Sequence, residues 1–290
     1  MAASRVCVVG SINADQTFVV NSLPRPGQTI LASSLTSSPG GKGGNQAVAA
    51  ARAGAEVALV AAVGDDAAAT ILREHLRANG VGTDAVTCVP GASGSAAILV
   101  DTVGENCIVV APGANARLEV DSEAARTAIV WSEVVLIQLE IPVTTAIAAA
   151  KLARAAGAVV MLNASPSGTA AHQLLALSNL VDVVVVNETE AAGWHWPVRH
   201  LVITRGSQGA SYLGSDERFD VPAPAVQALD TAGAGDVFAG VLAAGWPAGH
   251  EQALRRACAA GALATLVRGA GNCAPSAADI DALLTRRDAN

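Results

Sequence analysis

Short, largely apolar runs recur along the chain and alternate with longer stretches in which apolar residues return every three or four positions. The runs at 5–10, 57–63, 134–139, 158–162, 181–186 and 201–204 are rich in Val, Ile and Leu, the pattern of strands buried on both faces. Between them, 44–53, 66–79, 143–156 and 170–177 carry the helical period. Strands joined through helices lie parallel in one sheet, so the pattern predicts an α/β fold with a doubly wound, mainly parallel sheet flanked by helices.

Two stretches break this rhythm. Runs at 15–20 and 28–35, and at 86–89, 96–100 and 106–110, are separated by Pro/Gly turns with no helix between them. They predict a small accessory β-sheet, a lid, with strands drawn from 13–36 and 86–110. After Asp230 the chain turns helical through 235–244, 251–267 and 277–286. No repeat, low-complexity tract or linker interrupts it, so residues 1–290 read as a single α/β domain carrying that lid.

Composition narrows the classes. Hydrophobic residues make up 51% of the chain but aromatics only 3%, so the apolar content is small helix formers. A net charge of −7, with no basic run beyond Arg255-Arg256 or Arg286-Arg287, leaves no footprint for a nucleic-acid backbone. No uncharged apolar stretch reaches membrane-spanning length, and the apolar residues after Arg5 are too few for a signal-peptide core. A cytoplasmic protein without a membrane partner is expected. The 5 cysteines are odd in number, widely spaced and free of C-x-x-C, which argues against a disulfide framework or a zinc site. Trp194, Trp196 and the histidines read as packing or surface residues. Among the 18 basic side chains, only Lys42 and Lys151 are lysine.

Chemistry concentrates in a few segments. In 230–236 (DTAGAGD) small residues precede a helical run, so the amides of Gly233, Ala234 and Gly235 can converge on an anion at a helix N-terminus. Asp236 falls in the first turn, where it suits a general base beside a transferring phosphoryl group. A tight turn with a dipole-stabilised carboxylate is the plain alternative. The glycine-rich 40–46 (GGKGGNQ) leads into another helix and offers Gly41, Lys42 and Asn45 to a ligand. It lacks the P-loop spacing, and the first strand lacks the dinucleotide fingerprint. Asn13, Asp15 and Glu140 follow strand ends, where open α/β sheets place ligands. Asn187 and Glu190 follow another strand, and the same spacing makes a capping box.

In this order the segments resemble the ribokinase branch of the PfkB carbohydrate-kinase family. The resemblance rests on 10–15 (GSINAD), 26–29 (PGQT), 40–52 (GGKGGNQAVAAAR), 64–66 (GDD), 112–115 (PGAN), 138–140 (QLE), 187–191 (NETEA), 203–207 (ITRGS) and 230–236. It implies ATP-dependent phosphorylation of a sugar primary hydroxyl, first of all O5 of D-ribose, with Mg²⁺ as cofactor. It also implies Asp236 as base; Gly233, Ala234 and Gly235 as anion hole; Asn13, Asp15, Gly41, Lys42, Asn45 and Glu140 as sugar contacts. Asn187, Thr204 and Gly206 would hold the nucleotide, and Glu190 would organise Mg²⁺ indirectly. A monovalent cation, K⁺, would lie among Asp230, Ala232, Ala264, Val267, Gly269 and Cys273, although a thiol is a poor ligand for a hard cation. A homodimer through the lid is implied as well. Another sugar or nucleoside, or a non-catalytic sensor on the same fold, stays open. The few residues between Ala191 and Leu201 are short for a helical crossover, so the local connection is expected to depart from the family's.

Overall fold

The apolar runs become strands of one large sheet. The computed structural model describes residues 3–167 and 174–288. Its strands are β1 (Arg5–Val9), β2 (Asn13–Val19), β3 (Ser34–Gly40), β4 (Glu56–Val63), β5 (Val81–Gly82), β6 (Val86–Cys88), β7 (Gly94–Val100), β8 (Asn106–Ala111), β9 (Val134–Gln138), β10 (Val159–Asn163), β11 (Val183–Asn187), β12 (His200–Thr204), β13 (Ala210–Gly214) and β14 (Arg218–Val221). The helices are α1 (Lys42–Arg52), α2 (Ala67–Ala78), α3 (Glu123–Trp131), α4 (Val143–Ala155), α5 (Glu188–Ala192), α6 (Ala234–Gly245), α7 (His250–Ala264) and α8 (Ala277–Asp288).

The large sheet runs β14-β13-β12-β11-β10-β9-β1-β4-β5, parallel from β12 to β5 and closed at one end by antiparallel β13 and β14. Alternation along each strand divides the core into two layers. Val6 and Val8 of β1, with Leu136 and Met161, face the layer that holds α1, α6 and α7. Cys7 and Val9, with Val135 and Ile137, face the layer under α3 and α4. The fold class is the expected one. Asp66 caps α2 by accepting from the Ala69 amide at 3.0 Å, which is why that helix begins where its sequence predicts.

The small sheet has the order β3-β2-β7-β8. Two expectations about it are corrected. The strand expected over 28–35 lies at Ser34–Gly40, paired antiparallel with β2 from Asn13↔Gly40 to Val19↔Ser34. Leu31, which made the earlier segment look strand-like, is 91% exposed, and the real strand is a Ser/Thr-rich ribbon with no buried face to give it a period. Val86–Cys88 pairs parallel with β4 in the large sheet instead of joining the lid. The antiparallel edge β13 and β14, and helix α3, went unrecognised. The helix expected over 170–177 falls half outside the described residues, and its described half holds the 3-10 turn Leu175–Leu177.

The connection from β11 to β12 is short yet makes a parallel pair, Asn187 lying opposite Thr204. α5 supplies little more than one turn. Trp194 and Trp196, ring centroids 4.1 Å apart, then pack against the sheet with Val198, Leu201 and Ile203. Two indoles thus cover the apolar area that a longer crossover helix would otherwise bury. No helix among the described residues is long and apolar enough to cross a membrane.

Candidate active site at the sheet switch point

β1 and β9 are neighbours in the sheet, but the chain leaves them in opposite directions, toward β4 and toward β10. That divergence opens a crevice beyond their carboxyl ends. Glu140, just past β9, ties the crevice floor together: its Oε2 accepts from Ser11 Oγ at 2.5 Å and from the Lys42 amide at 3.1 Å. Gly41, before α1, has φ of 84°, and a Cβ there would stand 2.7 Å from the Asn13 amide nitrogen. Only glycine lets the α1 entry lie this close to the start of β2.

Asn13 and Asp15 share one face of β2 and are both buried, with Asp15 close enough to feel Glu140 and Asp236. Asn13 Oδ1 accepts from Asn115 Nδ2 at 2.8 Å, and Asn115 also brackets the Ile12 backbone through its amide group. Asp15 is different, because its buried Oδ1 has no hydrogen-bond partner. Its carboxyl is pushed up to about 7, first by burial and then by the Glu140 and Asp236 carboxylates. An unpartnered buried acceptor of this kind is built to receive a donor such as a hydroxyl.

Asp236 sits 8% exposed in the first turn of α6. Its Oδ2 accepts from Asn45 Nδ2 and its Oδ1 from Gln46 Nε2, each at 3.0 Å. α1 and α6 come close enough for this because Gly240 has no side chain: a Cβ there would collide with the Gln46 carbonyl and lie 2.9 Å from Ala49 Cβ. The Lys42 ammonium is held protonated chiefly by the Asp236 carboxylate, against a smaller opposing effect of burial, with help from Glu140 and Glu190. The Ala234 amide already donates to Thr231 O at 3.3 Å. Among the described residues the Gly233 and Gly235 amides make no hydrogen bond, so two of the three expected anion donors are open.

Asn187 and Thr204 end β11 and β12 on the same edge of the sheet, and Gly206 opens the turn after β12 with φ of 54°. Asn187 and Glu190 form a capping box: Asn187 Oδ1 accepts from the Glu190 amide at 2.8 Å, and Glu190 Oε2 from the Asn187 amide at 2.9 Å. Among the described residues no group of three or more His, Cys, Asp or Glu is arranged to hold a metal ion.

Asp230, Ala232, Gly269 and Cys273 do meet. Asp230 accepts from the Ala232 and Gly269 amides, each at 2.9 Å, and joins the two loops. The Cys273 thiol donates to Ala270 O at 3.2 Å and to Ala232 O at 3.8 Å. Burial first, then Asp236, pushes that thiol up to about 11, so it keeps its proton. Ala264 O is already used by the Val267 amide at 3.2 Å. At Cys273 a hard alkali cation would meet a protonated sulfur, a poor ligand for it, whereas the Asp230 carboxylate and the main-chain carbonyls of the two loops are oxygen donors of the right kind.

Gln46, Ser11, Asn115, Gln138 and Asn163 belong to the polar network but were not singled out as site residues. Their signal was present: Gln138 and Asn163 are polar residues ending otherwise apolar strands, and a buried polar group must find partners.

A buried carboxylate at a helix start, two open amides beside it and a polar crevice at the switch point suit phosphoryl transfer to a hydroxyl, and the chain is a phosphotransferase with an alcohol acceptor. It belongs to the pfkB family of carbohydrate kinases, whose model, the pfkB family carbohydrate kinase, matches residues 3–277. It is 34% identical over 296 residues to the ribokinase of Bacillus subtilis (strain 168), covering 97% of this chain and 99% of that protein. It is 33% identical over 261 residues to a bifunctional ribokinase/ribose-5-phosphate isomerase A of Fructilactobacillus sanfranciscensis, covering 82% of this chain and 48% of that protein, so it spans about half of that relative. The structure of Arabidopsis thaliana ribokinase complexed with ribose and ATP aligns with a TM-score of 0.90 at 30% identity, covering 98% of this chain and 99% of that one.

Proposed function

We propose that this chain transfers the γ-phosphoryl group of ATP to O5 of D-ribose, giving ribose 5-phosphate and ADP. The observation that carries the reading is the buried Asp236 carboxylate, fixed by Asn45 and Gln46 beside the open Gly233 and Gly235 amides. Asp15, with its unpartnered oxygen, takes two sugar hydroxyls, and Asn13, Gly41, Lys42, Asn45 and Glu140 complete the sugar site. The sugar's primary hydroxyl then faces Asp236, which accepts its proton as the oxygen attacks phosphorus. The amides of Gly233 and Gly235 stabilise charge on the phosphoryl oxygens, and Lys42 offsets the crowding of anions in the crevice. Asn187, Thr204 and Gly206 hold the nucleotide at the neighbouring strand ends.

Mg²⁺ keeps several waters and is carried largely by substrate phosphates. Half-buried Glu190, with one oxygen outside its capping box, fits a water-mediated contact to it, and the ion would neutralise phosphate charge. For K⁺ the Cys273 sulfur is a poor ligand, so a cation there would rest on the Asp230 carboxylate and main-chain carbonyls. Turnover compared in potassium and tetramethylammonium chloride at matched ionic strength decides whether a cation acts there. The chain acts in the cytoplasm and as a homodimer in this reading.

The test is ADP release with Mg·ATP across ribose, 2-deoxyribose, fructose and nucleosides, with the product located by ³¹P-coupled NMR. The reading predicts the highest kcat/KM on ribose and phosphorylation at O5. Preference for another acceptor overturns the substrate, and ATP binding with no ADP formed on any acceptor overturns the enzyme.

A further inference from the structure

The bonds under Asp236 continue into the core. Gln46 uses one N–H on Asp236 Oδ1 and the other on Asn163 Oδ1, both at 3.0 Å. Its own Oε1 accepts from Gln138 Nε2 at 2.6 Å, and Asn163 Nδ2 donates onward to Val185 O at 3.3 Å. An ionised carboxylate can only accept, so it forces the Gln46 NH₂ toward itself and the Gln46 carbonyl toward Gln138. Gln138 must then turn its NH₂ to Gln46, and the orientation of every amide in the chain follows from one charge. Gln46 and Gln138 are wholly buried, and Asn163 is 8% exposed. Bound ligands therefore meet Asp236 and Asn45, while Gln46 acts from behind.

We propose that Gln46, locked by Gln138 and Asn163, is a positioning residue that fixes the Asp236 carboxylate and holds it as a proton acceptor. This rests on Asp236 being the base. A donor to the charged form favours that form, which matters in a crevice where Asp15, Lys42 and the Cys273 thiol all feel the same carboxylate and Glu140 and Glu190 crowd the Lys42 side. The backbone of α1 alone would place Asn45, but it would leave Oδ1 of Asp236 without its buried partner.

Gln46→Leu keeps the volume and removes the donor. Its kcat should fall roughly 10- to 100-fold, the cost of a loosened reacting group, while KM for sugar and for ATP stays within about 3-fold. The acid limb of kcat should move to higher pH, because the ionised form has lost a donor. Gln138→Leu, one bond further away, should show a smaller version of both effects. It also serves as the test if Gln46→Leu does not fold. A folded Gln46→Leu with wild-type kcat, or a kcat loss with an unmoved pH profile, overturns the proposal. A ¹³C-carboxyl NMR titration of Asp236 in wild type and variants needs no turnover. An unshifted Asp236 resonance there overturns the positioning role whatever the substrate proves to be, whereas inactivity of the wild type on every acceptor overturns only the function proposed above.

Discussion

Two buried aspartates in one crevice have been given opposite tasks by their neighbours. Asp236 has a donor on each oxygen, so it can serve as a base with its geometry already set, and Asp236→Asn should lower kcat by roughly 10²- to 10⁴-fold. A folded Asn variant with wild-type turnover in the ADP assay would remove Asp236 from the mechanism. Asp15 has an oxygen with none, and its carboxyl sits near 7 in the folded protein against an ordinary 3.8. A raised carboxyl stabilises the fold fully only below its unfolded value, and that contribution is lost as pH rises toward 7. Asp15→Asn should therefore raise the melting temperature of the sugar-free protein, by more at pH 8 than at pH 5. Sugar hydroxyls prefer the ionised form, so the wild-type sugar Kd should weaken as pH falls below 7. Calorimetric titration at pH 6 and 8 checks the sign; a sugar Kd that does not change between them would sink the linkage.

At the scale of elements, one missing side chain sets the site. Gly240 lets α6 lie against α1, and that crossing delivers Asp236 to Asn45 and Gln46. Gly240→Ala should destabilise by about 1–3 kcal/mol through overpacking, seen as a lower denaturant midpoint, and should reduce kcat in the same variant. Unchanged values of both would mean the helices can separate without moving the site. Such couplings explain what the sequence made legible. Apolar periodicity located the six longer strands of the parallel sheet and most helices to within a few residues, because each buries a face with a definite period, while the two-residue β5 is too short to show one. The loops 40–46 and 230–236 stood out because their glycines serve close approach and helix starts. The lid strand at Ser34–Gly40 has no such period, and β6 joined the large sheet through a three-residue pairing that no local pattern announces. Gln46, Gln138 and Asn163 were hidden for another reason: each is one polar residue whose partner lies far along the chain, and their meeting is a product of topology.

For the whole molecule the small sheet poses the remaining physical problem. β8 is exposed along its full length, Ile108, Val109 and Val110 project apolar side chains from it, and Leu35 and Val19 add to the uncovered surface. Open strand edges with apolar side chains invite pairing with another chain. A second copy seated on this sheet would cover that surface and also steady β2, which carries Asn13 and Asp15. Assembly and sugar binding are then linked, whereas the proposed nucleotide residues at the ends of β11 and β12 lie on the large sheet and are not. Val109→Lys should convert a dimer to monomer in size-exclusion chromatography with light scattering. It should also raise the sugar KM several-fold while leaving the ATP KM near wild type. A wild-type chain that runs as a monomer at micromolar concentration would exclude the homodimer, and a monomeric variant with an unchanged sugar KM would uncouple the lid contact from the sugar site.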